Sequence, residues 1–257
     1  MPADIAKNFY FDFQISYLFR ENHMRYIATL ILFFLACNPV LADAAHDCDS
    51  GPTPDTHITG CSILIESSPD NPRNLAIYYG NRALAYFAKH DFEHALSDFT
   101  SAAKLIPDPY YYVGRGIVYA AMGDCDRAID DYDEAVRLEP YYPRVYNNRG
   151  NCLRKKGDLN AAISDYTREI KINPNESVVY FNRGVALKMQ GKFGDAIADF
   201  SKAVTLNPKY AIAYFVRADT YIDEGDLDSA DRDFKTASML DPSLDRKSTH
   251  LEVPPIN

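Results

Sequence analysis

Tryptophan is absent from the 257 residues, so the aromatic content of 13% rests on 19 Tyr and 14 Phe. A basic excess is also missing: 27 Lys and Arg stand against 36 Asp and Glu, giving a formal net charge of -9 and a pI near 5.1. That balance excludes a general nucleic-acid binder, which needs a cationic surface to displace counterions from phosphates. No G-x-S-x-G, H-E-x-x-H, Walker or dinucleotide-binding glycine pattern occurs, so enzymes and cofactor sites built on those motifs are excluded. The uncharged, mostly apolar run Ile27 to Cys37 is too short to span a bilayer comfortably. Cysteine is scarce, at five.

What the chain has is a period. Residues 143–176 and 177–210 state one pattern twice, and Pro107, Pro140, Pro174, Pro208 and Pro242 follow one another at 33, 34, 34 and 34 residues. Each proline closes a helical pattern, where it belongs because it cannot donate the next helical hydrogen bond. Five units result: 76–108, 109–142, 143–176, 177–210 and 211–244, each read as two helices joined by a turn. Position 8 is small (Ala83, Gly116, Gly150, Gly184, Ala218), position 20 is Ala throughout, and position 24 is aromatic (Phe99, Tyr132, Tyr166, Phe200, Phe234). Small residues facing aromatic ones give the interdigitation that stacked helices need. Position 15, in the turn, is Gly123, Gly157, Gly191 and Gly225, with His90 in the first unit. In the last unit Asp231 and Ser238 replace apolar residues, as expected of a terminal unit with a polar outer face.

With Tyr79, Tyr112, Tyr146, Tyr180 and Tyr214 at position 4, the chain resembles the tetratricopeptide repeat (TPR) family, which often has Trp there. The resemblance covers about two thirds of the chain and implies an all-α, right-handed superhelical solenoid of helix-turn-helix TPR units. It also implies a non-enzymatic module without cofactor or metal. One departure stands out: Glu169 occupies position 27, otherwise Ala.

Two positions repeat outside the usual pattern. Arg fills position 7 (Arg82, Arg115, Arg149, Arg183, Arg217) and Asp fills position 23 (Asp98, Asp131, Asp165, Asp199, Asp233). Equal numbers of opposite charge at fixed register predict a structural pair in each unit, guanidinium forked onto carboxylate, rather than a ladder for a polyanion.

At the N-terminus, residues 24–44 have the layout of a secretory signal peptide, with small residues that allow cleavage after Ala42 or Ala44. Residues 1–23 precede a signal that is complete from Met24, so the preferred reading starts translation there. A retained membrane anchor and a lipobox ending at Cys37 are the alternatives. Export to an oxidising compartment such as the periplasm invites pairing of the four remaining cysteines. Counting back from Pro69 puts Cys48 and Cys61 at core positions of a degenerate half-repeat, residues 46–69, whose one helix is expected over 56–67 and whose cysteines are expected to bridge. A metal site from His46, Cys48, His57 and Cys61 is the rival. Cys125 and Cys152 could face each other across neighbouring units, and the sequence leaves their pairing open. His90 and His94 read as surface, and residues 245–257 as a disordered tail.

The resemblance implies that a ligand lies in a concave groove lined by the first helix of each unit. The first two units then offer an apolar wall that includes Ile77, Leu84, Phe87, Tyr110, Val113 and Ile117, together with Asn81. The third offers Arg144, Asn147, Asn148, Asn151, Arg154 and Lys155. The fourth adds Phe181, Asn182, Val185 and Lys188, and the fifth turns acidic with Asp219 and Asp223. The carboxylate-clamp spacing of chaperone-binding TPR domains is not reproduced. The expected partner is a protein or extended peptide, with neither nucleic acid nor a small-molecule substrate, and with oligomeric state open. The expected role is that of a scaffold or assembly factor in the cell envelope, the alternatives being a membrane-anchored adaptor or a self-associating array.

Overall fold

A computed structural model describes residues 39–67 and 71–244. Residues 1–38, which hold the leader and most of the expected export segment, and the expected tail at 245–257 lie outside the described residues. Among the described residues the chain forms helices and no strand. They are α1 (Pro39–Ser50), α2 (Pro54–Ser67), α3 (Pro72–Ala88), α4 (Phe92–Leu105), α5 (Pro109–Ala121), α6 (Cys125–Leu138), α7 (Val145–Lys155), α8 (Leu159–Ile172), α9 (Ser177–Met189), α10 (Phe193–Leu206), α11 (Ala211–Glu224) and α12 (Leu227–Leu240). None is long and apolar enough to cross a membrane.

Local chemistry sets these boundaries. The turn glycines Gly123, Gly157, Gly191 and Gly225 have φ between 72° and 87°, a left-handed conformation that favours residues without a Cβ. His90 takes the same role at φ 59°. One residue later, Asp91, Asp124, Asp158 and Asp226 cap the second helices, their side chains accepting from the backbone N–H of His94, Arg127, Ala161 and Ser229. The second helices end at Leu105, Leu138, Ile172, Leu206 and Leu240, each just ahead of its proline.

Packing follows the expected complementarity. A Cβ placed on Gly116, Gly150 or Gly184 would come within 2.6, 2.8 and 2.7 Å of the Tyr132, Tyr166 and Phe200 rings, so these glycines admit the aromatic side chains. All five Arg–Asp pairs form with both carboxylate oxygens engaged; Arg183, for example, donates from Nε and Nη2 to Asp199 at 2.7 and 2.7 Å. The third guanidinium nitrogen crosses to the preceding unit, reaching Ser62, Thr100, Asp133, Thr167 and Ser201. Each of these arginines also stands over its own position 4 tyrosine at 5.4–5.9 Å. One side chain thus joins both helices of its unit to the unit before. Hydrogen bonds to the facing carboxylate push Arg82, Arg115, Arg149 and Arg183 above the usual guanidinium range.

The N-terminal region differs from the single helix expected over 56–67. That helix is present as α2, and α1 precedes it, so a complete helix pair stacks on α3. Cys48 and Cys61 are bridged (Cα–Cα 4.6 Å), which leaves no thiolate for the rival metal site. In the register of the later units Ala44 and Gly60 stand where Arg and Asp pair elsewhere. A Cβ on Gly60 would come 2.6 Å from the Ala44 carbonyl oxygen and 2.6 Å from the Cys48 nitrogen. Close backbone approach and a disulfide here replace the charged fork, while Ser62 still accepts from Arg82. Cys125 and Cys152 are buried in one cluster as free thiols.

Glu169 also acquires a reason. Pro143 and a left-handed Arg144 (φ 65°) delay the start of α7, and the wholly buried Glu169 Oε1 accepts from the Arg144 backbone N–H at 3.1 Å and from Asn173 Nδ2 at 2.8 Å. An alanine could satisfy neither donor.

Candidate functional site

First helices of adjacent units lie closer together than second helices do, so α3, α5, α7, α9 and α11 line the inner face of the curve. Helix periodicity brings positions 2, 9 and 12 to that face, because residues three, four and seven apart share one side of a helix. Position 5 is buried in every unit, Val113, Asn147 and the expected groove residue Phe181 among them, and Val185 is buried too.

At the N-terminal end of this face Ile77, Leu84, Tyr110 and Ile117 are exposed by 46%, 45%, 37% and 36%, a row at positions 2 and 9 of two successive units. Large apolar side chains left in water together mark an interaction surface more than scattered ones do. Leu84 also borders an open cavity of about 320 Å³ lined by Cys48, Pro52, Pro54, His57, Ala85 and Ala88 among others. Asn81 sits beside it, where its Nδ2 donates to the Cys48 carbonyl at 3.4 Å; His57 Nδ1 lies 3.1 Å from the same oxygen. Of the expected wall, Val113 is buried in the core rather than displayed.

The middle of the face is less uniformly polar than its composition suggests. Asn147 and Asn182 are buried and bonded to each other, Asn182 Nδ2 donating to Asn147 Oδ1 at 2.9 Å, which joins α7 to α9. Asn147 Nδ2 in turn reaches Asn148 Oδ1 at 3.4 Å. Arg144 is exposed at the start of α7, with its guanidinium 3.6 Å from Glu176. Lys188 is held by Asp219 and, at 3.1 Å, by Asp223, so the acidic residues of the fifth unit neutralise the cation of the fourth.

Arg154 and Lys155 remain. Lys155 is exposed, and Arg154 is half-buried beside the Tyr166 hydroxyl, which itself donates to Asn151 Oδ1 at 2.8 Å. Burial pushes Tyr166 up to about 12 against the opposing Arg154 charge, so its hydroxyl stays protonated at neutral pH. Among the described residues Arg154 has no carboxylate within ion-pair distance, and its Nε is buried without a hydrogen-bond partner. Asn151, Arg154 and Tyr166 therefore form a polar floor with an unspent positive charge. Composition alone could not single out this arginine, because it does not reveal which cations find an acid.

Models of the tetratricopeptide repeat match residues 113–177, 177–210 and 211–244. No curated protein sequence matches the chain. Among solved structures, MamA from Desulfovibrio magneticus RS-1 superposes with a TM-score of 0.61 at 22% identity, over 65% of this chain and 96% of that one. YrrB, described as a TPR protein with an unusual peptide-binding site, superposes with a TM-score of 0.60 at 23% identity, over 74% of this chain and 98% of that one. At these identities the likeness concerns the fold.

Proposed function

The chain belongs to the tetratricopeptide repeat family, and from that premise we propose that it is a non-catalytic module that binds an extended peptide or protein segment along its inner face. The observation that carries this reading is the exposed row Ile77, Leu84, Tyr110 and Ile117, continuous with the cavity beside Leu84. Burying such side chains contributes roughly 25 cal/mol per Å² of apolar surface removed from water, and nothing in the described residues covers them. The peptide-binding site named for YrrB supports the same use of a related fold. Selection of displayed peptides on the native chain and on a Leu84→Glu, Ile117→Glu variant checks it. Peptides captured by the native chain should be lost from the variant, whereas equal capture by both would refute the assignment to this face.

The same module is proposed to act outside the cytoplasm, as a scaffold or assembly factor of the cell envelope. The export pattern at 24–44 and the Cys48–Cys61 bridge support this. Cleavage after Ala42 would trim the first turn of α1 while leaving the buried Ala44 seated, and Asp43 would then head the helix, where an acidic residue is favoured. Intact mass of the protein purified from envelope fractions tests it: a chain beginning at Asp43 or Ala45 with a bridge is expected, and retention of Met1 would overturn the export reading.

A further inference from the structure

We infer that the segment bound on the inner face carries a carboxylate, received by Arg154, and two apolar side chains at intervals of about three residues from it. This rests on the groove reading above and adds the chemistry of the partner.

Arg154 and Lys188 both occupy position 12 of their units. Lys188 is neutralised by positions 9 and 13 of the next unit, Asp219 and Asp223. The same two positions ahead of Arg154 hold Val185 and Met189, which carry no charge. Arg154 is thus an inner-face cation whose internal partner the sequence leaves out, and its buried Nε has no acceptor. A buried guanidinium nitrogen without an acceptor is costly unless a ligand supplies one, and the neighbouring Tyr166 hydroxyl brings no negative charge to offset the cation. A carboxylate suits it, because a guanidinium presents donors in a fork that matches two oxygens. The exposed Lys155 adds positive charge at the same level.

Spacing supplies the rest. Leu84, Ile117 and Asn151 occupy position 9 of three consecutive units. Packed helices stand about 8–10 Å apart, and an extended chain advances about 3.3 Å per residue, so each unit takes up about three residues of ligand. A segment whose acid lies over Asn151 and Arg154 then places one apolar side chain against Tyr110 and Ile117 and another against Ile77 and Leu84, beside the cavity.

A random peptide display library selected on the full chain, and in parallel on Arg154→Gln, Arg154→Lys and Met189→Glu, tests this. Met189 is 55% exposed, so Met189→Glu supplies the internal acid that Lys188 already enjoys without disturbing the core. Winners on the native chain should carry an acidic residue with apolar residues about three and about six positions from it. Synthetic copies with that acid changed to its amide should bind on the order of tenfold more weakly. The preference should persist in Arg154→Lys and vanish in Arg154→Gln and Met189→Glu, with apolar residues still selected. Winners without acidic preference, or a preference unchanged by Met189→Glu, would overturn the inference while leaving the groove reading intact. Failure to enrich any peptide dependent on Leu84 and Ile117 would overturn both.

Discussion

At the scale of single residues, the Arg–Asp forks are largely buried and tie each unit to the one before. Arg183 and Asp199 have side chains only 21% and 8% exposed, and the guanidinium also reaches Thr167 of the preceding unit. Arg183→Ala leaves a buried carboxylate uncompensated and should cost about 3–5 kcal/mol. Arg183→Met with Asp199→Leu should recover most of that loss, and denaturant unfolding of the two variants beside the native chain measures it. His90 behaves in the opposite sense. It holds a left-handed conformation that the other four units give to glycine, so His90→Gly should raise stability by about 1 kcal/mol. A lower midpoint would mean that its edge contact with Phe92, at 5.9 Å, outweighs the strain.

At the scale of elements, the N-terminal pair is the unit held by the least regular means. It lacks the charged fork and relies on the Cys48–Cys61 bridge, which closes a loop of 13 residues. Chain-entropy arguments put such a closure at roughly 3 kcal/mol. Reduction should therefore accelerate hydrogen exchange in α1 and α2 far more than in α7 to α10, since each unit of a solenoid is stabilised mainly by its neighbours. Uniform acceleration along the chain would show instead that the solenoid unfolds as one cooperative block. The bridge and α2 were legible beforehand, by counting Cys48 and Cys61 back from Pro69 to core positions. The first helix was not, because α1 lies partly within the expected export segment, and only its packing against α2 and α3 identifies it as a helix of the array.

For the whole molecule, the capping carboxylates and buried phenols define opposite pH limits. Hydrogen bonds to His94, Arg127 and Ser229 hold Asp91, Asp124 and Asp226 below their ordinary value of 3.8. Their stabilising contribution is complete above that value and is lost as pH falls through the lower folded values. Burial raises Tyr111, Tyr166 and Tyr210 from 10.0 to about 12. That contribution is complete below pH 10 and is lost as pH rises toward 12, because the unfolded chain ionises first. Melting temperatures measured across pH should stay level between these limits and fall outside them. An alkaline titration of phenol absorbance that finished near pH 10 in the folded protein would contradict the burial.

The repeat, the solenoid fold and the separation of Arg and Asp into scaffold were determined by the sequence itself, since a stacked array demands the same residue at the same register in every unit. Glu169 announced itself as a departure from alanine, yet its role depends on the backbone turn at Arg144, which no residue pattern displays. Within the groove, Asn147 and Asn182 look as available as Asn148 and Asn151 until stacking buries them against each other. Lys188 finds two carboxylates in the next unit, whereas the matching positions ahead of Arg154 carry no charge. Tertiary structure alone decided which polar side chains spend their hydrogen bonds inside the array and which keep one for a partner. That allocation depends on contacts about 30 positions apart in the chain, and these exist only once each unit has stacked on the next.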